Sequence, residues 1–194
     1  MPRHPDPELE QRILTAASRL WARGGEKALT MRAVAKAAGT NTPAVYRRFR
    51  NRDDILRGLL QQIQQDVIAA LQSCASVEAV CEGYLQYALS HAHEYELFYT
   101  HAHQLSHGRK SPLRDHRPSM ALVEERLAER FGGVPRDHTR LSLALWTVAH
   151  GTAMLLISKA VPEQHVQELR AASSQAVAIL LRHGAVPPAS NPPK

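Results

Sequence analysis

Six cations fall between residues 30 and 52, at Arg32, Lys36, Arg47, Arg48, Arg50 and Arg52, with no acid among them. Guanidinium and ammonium groups at that density hold phosphate, so the chemistry on offer is capture of a polyanion. The bias is local. Residues 1–60 hold 12 Lys and Arg against 6 Asp and Glu, whereas residues 61–194 hold 12 of each. The whole net charge of +6 therefore lies in the first third of the 194-residue chain. That is the distribution of a polyanion-binding segment followed by a neutral body. A solvated basic surface gives the same arithmetic, so charge alone does not decide.

Other chemistries find less support. His91, His93, His101, His103 and His107 invite a metal, and His103 with His107 has chelating i,i+4 spacing. The i,i+2 pairs diverge on a helix, and no Cys or carboxylate completes a set. They read as scattered junction histidines, with no metal and no cofactor. Cys74 and Cys81 read as two turns along one helix face, too far apart for a disulfide. That fits a reducing cytoplasm. There is no Gly-rich phosphate loop and no nucleophile elbow, so an enzyme is not expected. Apolar runs such as Ala153 to Ile157 fall short of the ~18 residues of a membrane span, and MPRHPDPELEQ has no signal-peptide core. No membrane partner is expected.

The elements that must position the cations read as helices throughout; no segment alternates like a strand. Asp6-Pro7 opens a first helix with the stripe Leu9, Ile13, Ala16, Ala17 and Leu20, stopped by Gly24-Gly25. Thr30 caps a short second helix, broken by Gly39. Asn41 caps a third, running to about Phe49. Asn51 caps a fourth, running to about Ser73, with Asp54 at its positive end. Helices follow at about 77–91, 94–106 and 120–131. Residues 107–119 read as a loop. Asp137 caps a long helix to about Lys159, and Pro162 starts the last.

Two short helices around Ala38-Gly39-Thr40 have the grammar of a helix-turn-helix. Gly39 supplies the left-handed turn residue, Ala35 and Ala38 permit close crossing, and Val34 and Val45 fill the wedge. The third helix then presents TNTPAVYRR outward, toward base edges in a major groove.

Residues 29–56, LTMRAVAKAAGTNTPAVYRRFRNRDDIL, resemble the DNA-binding region of the TetR family of bacterial transcriptional regulators. Thr30, Ala35, Gly39, Pro43, Val45-Tyr46, Phe49 and Arg52-Asp53-Asp54 carry the match. The resemblance implies that Thr30, Tyr46 and Arg52 grip phosphates, which fix register without reading sequence. Thr42, Pro43, Ala44 and Arg47 would face the groove, Ala44 offering its methyl to thymine. Arg47 can reach guanine or hold a phosphate. Arg48, where the family commonly has His, and Arg50 add non-specific affinity. Phe49 is expected in the core.

LWTVAHGTAMLL, with Trp146, His150 and Gly151, is similar to a TetR C-terminal subtype labelled by its Trp, His and Gly. The resemblance implies a pocket in this second domain. Tyr84, Tyr87, Tyr95, Phe98, Tyr99, Met120, Trp146, His150 and Met154 are its candidates, about a third of them touching a cavity. Tyr87, Phe98, Trp146 and His150 are taken as the ligand-binding set. It further implies that stripes on the last two helices, with Leu141, Leu145, Leu155 and Leu180, pair with a second copy. The expected whole is an all-α homodimer: a helix-turn-helix domain at 1–52, a ligand-binding and dimerisation domain at 53–184, and a disordered tail at 185–194. It would bind a palindromic double-stranded DNA operator, as a repressor released by a small-molecule effector. The competing reading is a helical small-molecule carrier whose basic segment is incidental.

Overall fold

Capping side chains open four successive helices in the computed structural model of the chain, which describes residues 8–101 and 118–184. Among these residues every regular element is a helix, as the sequence predicts. α1 (Leu9–Ala28) buries Leu9, Ile13, Ala16 and Ala17 and is broken at Gly24 and Gly25. Thr30 Oγ1 accepts the Ala33 N–H at 3.2 Å and opens α2 (Met31–Ala37). Asn41 Oδ1 accepts the Ala44 N–H at 2.9 Å and opens α3 (Thr42–Tyr46), shorter than the expected run to Phe49. Asn51 Oδ1 accepts the Asp54 N–H at 2.9 Å and opens α4 (Arg52–Gln72).

Ser76 caps α5 (Val77–Ser90), and α6 (Ala92–His101) follows. After them come α7 (Pro118–Phe131), α8 (Thr139–Ile157) and α9 (Val166–His183). Three expectations change. Cys74 lies in the turn between α4 and α5, so it shares no helix face with Cys81. Asp137 does not cap α8. It sits in a 3-10 turn, Pro135–His138, where its carboxylate accepts the Val134 N–H at 3.0 Å. A second 3-10 turn, Glu163–His165, precedes α9 and delays its start past Pro162. The expected helix start at Asp6-Pro7, nearly all of the expected 107–119 loop and the tail lie outside the described residues.

The helices form two compact units. Unit one holds α1 to α3, α4 as far as Ile63, and α6 from His93. Ser18 Oγ donates to Glu94 Oε1 at 3.0 Å, and Trp21 meets the His101 ring edge-on at 5.2 Å, which fastens α6 to α1. Unit two holds α4 from Gln64, α5, and α7 to α9. There α5 and α9 pack on α8 around Val77, Leu127, Leu141, Leu145, Val177 and Leu181. Leu141 and Leu145 therefore belong to the core of a single chain, and not to an interface between copies. One described stretch, Pro135–Ile157, is long and apolar enough to cross a membrane, with mean hydropathy 1.3. Its Leu141, Leu145, Ala149 and Ala153 are buried inside unit two, the pattern of a core helix.

Candidate nucleic-acid interface and ligand cavity

The turn between α2 and α3 depends on Gly39, at φ +66°. A side chain there would strain the backbone, because an L residue in the left-handed region brings Cβ against carbonyl oxygen. Val34 and Val45 fill the wedge and are fully buried, with Ala35 and Ala38 beside them. Phe49 is buried beneath, as expected. Gly58 of α4 lies so close that an added Cβ would stand 3.0 Å from Leu14 Cδ2 and 3.1 Å from Phe49 Cε1. The short α3 packs on α2, and Phe49 just beyond its end packs on Gly58 of α4.

Outward from this scaffold stand Pro43, Tyr46, Arg47 and Arg48, all exposed, with Thr42 half-buried. Tyr46 is 53% exposed, so its ring and hydroxyl are open to solvent beside the arginines. Thr30 is exposed too, and its hydroxyl can still donate outward while its oxygen caps α2. Ala44 departs from expectation. It is 4% exposed, because it shares with Val45 the edge that α3 packs on α2, so its methyl is not offered to a base.

Arg52 is engaged rather than waiting: Nη2 lies 2.8 Å from Glu26 Oε1 and 3.3 Å from Asp53 Oδ1. It ties the last turn of α1 to the start of α4. A phosphate reaching it would share the guanidinium with Glu26 and Asp53. Asp54 Oδ2 accepts the Arg50 N–H at 3.0 Å and Oδ1 accepts from Arg57 at 2.9 Å. These bonds, the one from Arg50 first, hold its carboxyl below the usual range.

Unit two contains an apolar cavity of about 340 Å³, counted out to its open mouth. Leu71 of α4 and Val80, Cys81 and Tyr84 of α5 line one side. Ser119, Met120 and Val123 of α7 and Ser142, Leu145, Trp146 and Ala149 of α8 complete it. Trp146 Nε1–H donates to the Tyr84 hydroxyl at 3.2 Å. Burial pushes the Cys81 thiol up to about 12, with the nearby Glu78 charge adding to it.

Of the four expected ligand contacts only Trp146 reaches this wall. His150 stacks on Trp146, ring centres 5.2 Å apart, without lining the cavity. Tyr87 stacks on His91 at 4.3 Å. Phe98 belongs to α6 and so to unit one. Tyr84 and Met120, on the wider list of candidates, do line it. The other lining residues were missed, since Leu71, Val80, Leu145 and Ala149 carry only the signal of ordinary core. Two histidines bond backbone carbonyls: His138, its Nε2 at 2.8 Å from Gly132 O, and His91, its Nδ1 at 3.1 Å from Tyr87 O. Among the described residues no three His, Cys, Asp or Glu side chains converge as metal ligands; His103 and His107 lie outside them.

A helix-turn-helix with exposed cations, followed in the chain by a helical unit with an apolar cavity, defines a class of one-chain regulators of DNA. A family model described as bacterial regulatory proteins, tetR family, matches residues 13–59. Another, the tetracyclin repressor-like C-terminal domain, matches residues 77–180. The chain belongs to the tetR family of bacterial regulatory proteins, whose members are transcriptional regulators that bind DNA. No curated protein matches the sequence. Among solved structures, a protein of unknown function from Rhodococcus sp. RHA1 has TM-score 0.71 at 22% identity, over 94% of this chain and 98% of that one. A TetR-like transcriptional regulator from Rhodococcus sp. RHA1 has TM-score 0.65 at 18%, over 95% and 100%. The multidrug binding protein EbrR, complexed with imidazole, has TM-score 0.64 at 22%, over 98% and 96%. At these identities the likeness is one of fold.

Proposed function

We propose that the chain is a cytoplasmic, homodimeric repressor that binds a palindromic operator and is released from it by a small molecule. The observation that carries this reading is the pre-built recognition helix. Two side-chain caps and a left-handed glycine fix α3, while Tyr46, Arg47 and Arg48 stand exposed beside it. Phosphate grip falls to Thr30, Tyr46, Arg47, Arg48 and Arg52, and base contact to Thr42 and Pro43. A single helix-turn-helix reads few bases, so selectivity asks for two copies on two half-sites. Leu155 and Ile179, exposed on α8 and α9, are the apolar residues that a second copy would cover. The cavity beside Trp146 is the effector site, and the Trp146–His150 stack with Gly151 supports the Trp-His-Gly subtype.

The test is a titration of the chain against the DNA flanking its own coding region, at several salt concentrations. Saturable binding to one fragment, tighter than to unrelated DNA and falling steeply with salt, is the expected result. Equal affinity for every fragment would favour the carrier reading, with its basic segment incidental.

A further inference from the structure

The charge of the effector is written on the wall of the cavity in unit two; this inference rests on the proposed ligand-binding role. The described lining holds no Asp, Glu, Lys, Arg or His. Most of its polar groups bond within the protein: Trp146 Nε1–H donates to the Tyr84 hydroxyl, and Ser142 Oγ donates to the Met120 carbonyl at 3.4 Å, while Ser119 adds one uncharged hydroxyl. Elsewhere the wall is apolar, and an ion entering it would lose water without meeting a counter-charge. The nearby carboxylate of Glu78 is itself taken by Arg130 at 2.6 Å. We propose that the effector is an uncharged, mainly apolar small molecule, and that cations and carboxylates are poor effectors.

A group already in the wall reports the same environment. The Cys81 thiol is pushed up to about 12, with burial the first cause, so the site resists an anion formed within it. The enclosed part of the cavity is small, and most of the about 340 Å³ lies at its open mouth, so an occupant enters the apolar wall with little room to carry a hydration shell inside.

Three probes with one para-tolyl body separate charge from shape: 4-methylphenol, 4-methylbenzoate and 4-methylbenzylammonium. The protein is the full chain with Trp21→Phe, which leaves Trp146 as the only tryptophan. Saturable quenching by 4-methylphenol is expected, with either ion bound at least ~30-fold more weakly. Ala149→Leu, which fills the cavity from α8, should abolish that quenching with the helical circular dichroism unchanged. Val80→Phe does the same from α5 should the first variant fold poorly. An ion that binds as tightly as the phenol overturns the charge assignment and leaves the cavity standing as the site. No saturable, Ala149-sensitive response from any probe overturns the cavity as the ligand site.

Discussion

At the scale of single residues, the exposed arginines of unit one differ in what they already hold. Arg47 is exposed at the end of α3, whereas Arg52 is ion-paired with Glu26 and Asp53. Binding through Arg47 releases counterions from DNA in full, about 0.9 of a unit in the salt slope per phosphate neutralised. Binding through Arg52 releases less, because Glu26 and Asp53 already neutralise part of its charge. Arg47→Ala should therefore flatten the salt slope more than Arg52→Ala does, and Glu26→Gln should tighten binding by removing the competitor. Anisotropy titrations across a salt series check both. A weaker Glu26→Gln complex would mean that the ion pair is needed to hold the last turn of α1 against the start of α4. Asp54 gives a pH prediction. Its carboxyl is depressed in the folded chain by the bonds from Arg50 and Arg57. Such a group stabilises the fold above its unfolded value and stops doing so as pH falls through the lower folded value. Asp54→Asn should thus lower the melting temperature at neutral pH and lose that difference only below about pH 4.

At the scale of elements, the helix-turn-helix was legible because its signals are local. Thr30, Asn41 and Asn51 each cap the helix that begins next to them, and Gly39 turns the chain where it stands. No distant residue has to be known for these assignments. Gly39 makes the argument quantitative: no atom lies within 4 Å of an added Cβ, so the cost of Gly39→Ala is purely conformational. A loss of about 1–2 kcal/mol is expected. Chemical denaturation measures it, and a neutral result would mean that the turn relaxes to another conformation. The cavity was illegible for the opposite reason. Its wall gathers α4, α5, α7 and α8, and each lining residue alone looks like core. Trp146 stood out by residue type, while Phe98 misled because nothing near it in sequence shows that α6 packs with α1. Glu124 left a readable trace that went unused. It falls on the helical stripe of Met120, Leu127 and Phe131, and it is fully buried, accepting from Thr139 Oγ1 at 2.8 Å.

For the whole molecule, two equilibria must meet: pairing of chains and occupation of the cavity. Leu155 and Ile179 are 41% and 43% exposed in the single chain, whereas Leu145 is almost wholly buried within it. Leu145→Asp should therefore unfold unit two, while Leu155→Asp or Ile179→Asp should leave a folded chain that sediments as a monomer. That monomer keeps every base-reading side chain and should still lose operator binding, since two half-sites demand two recognition helices about 34–36 Å apart. Effector action follows from the same requirement. A molecule in the cavity can release DNA only to the extent that it binds the non-binding arrangement more tightly than the binding one. A coupling of ~3 kcal/mol gives roughly 150-fold weaker operator binding, and linkage requires the operator to weaken effector binding by the same factor. Ala149→Leu, which closes the cavity, should abolish release while leaving operator affinity in the absence of effector nearly unchanged. Paired titrations, effector against free protein and effector against the protein–operator complex, measure the coupling from both sides. Equal effector affinity in the two titrations would mean that the cavity does not govern DNA release, however tightly it is filled.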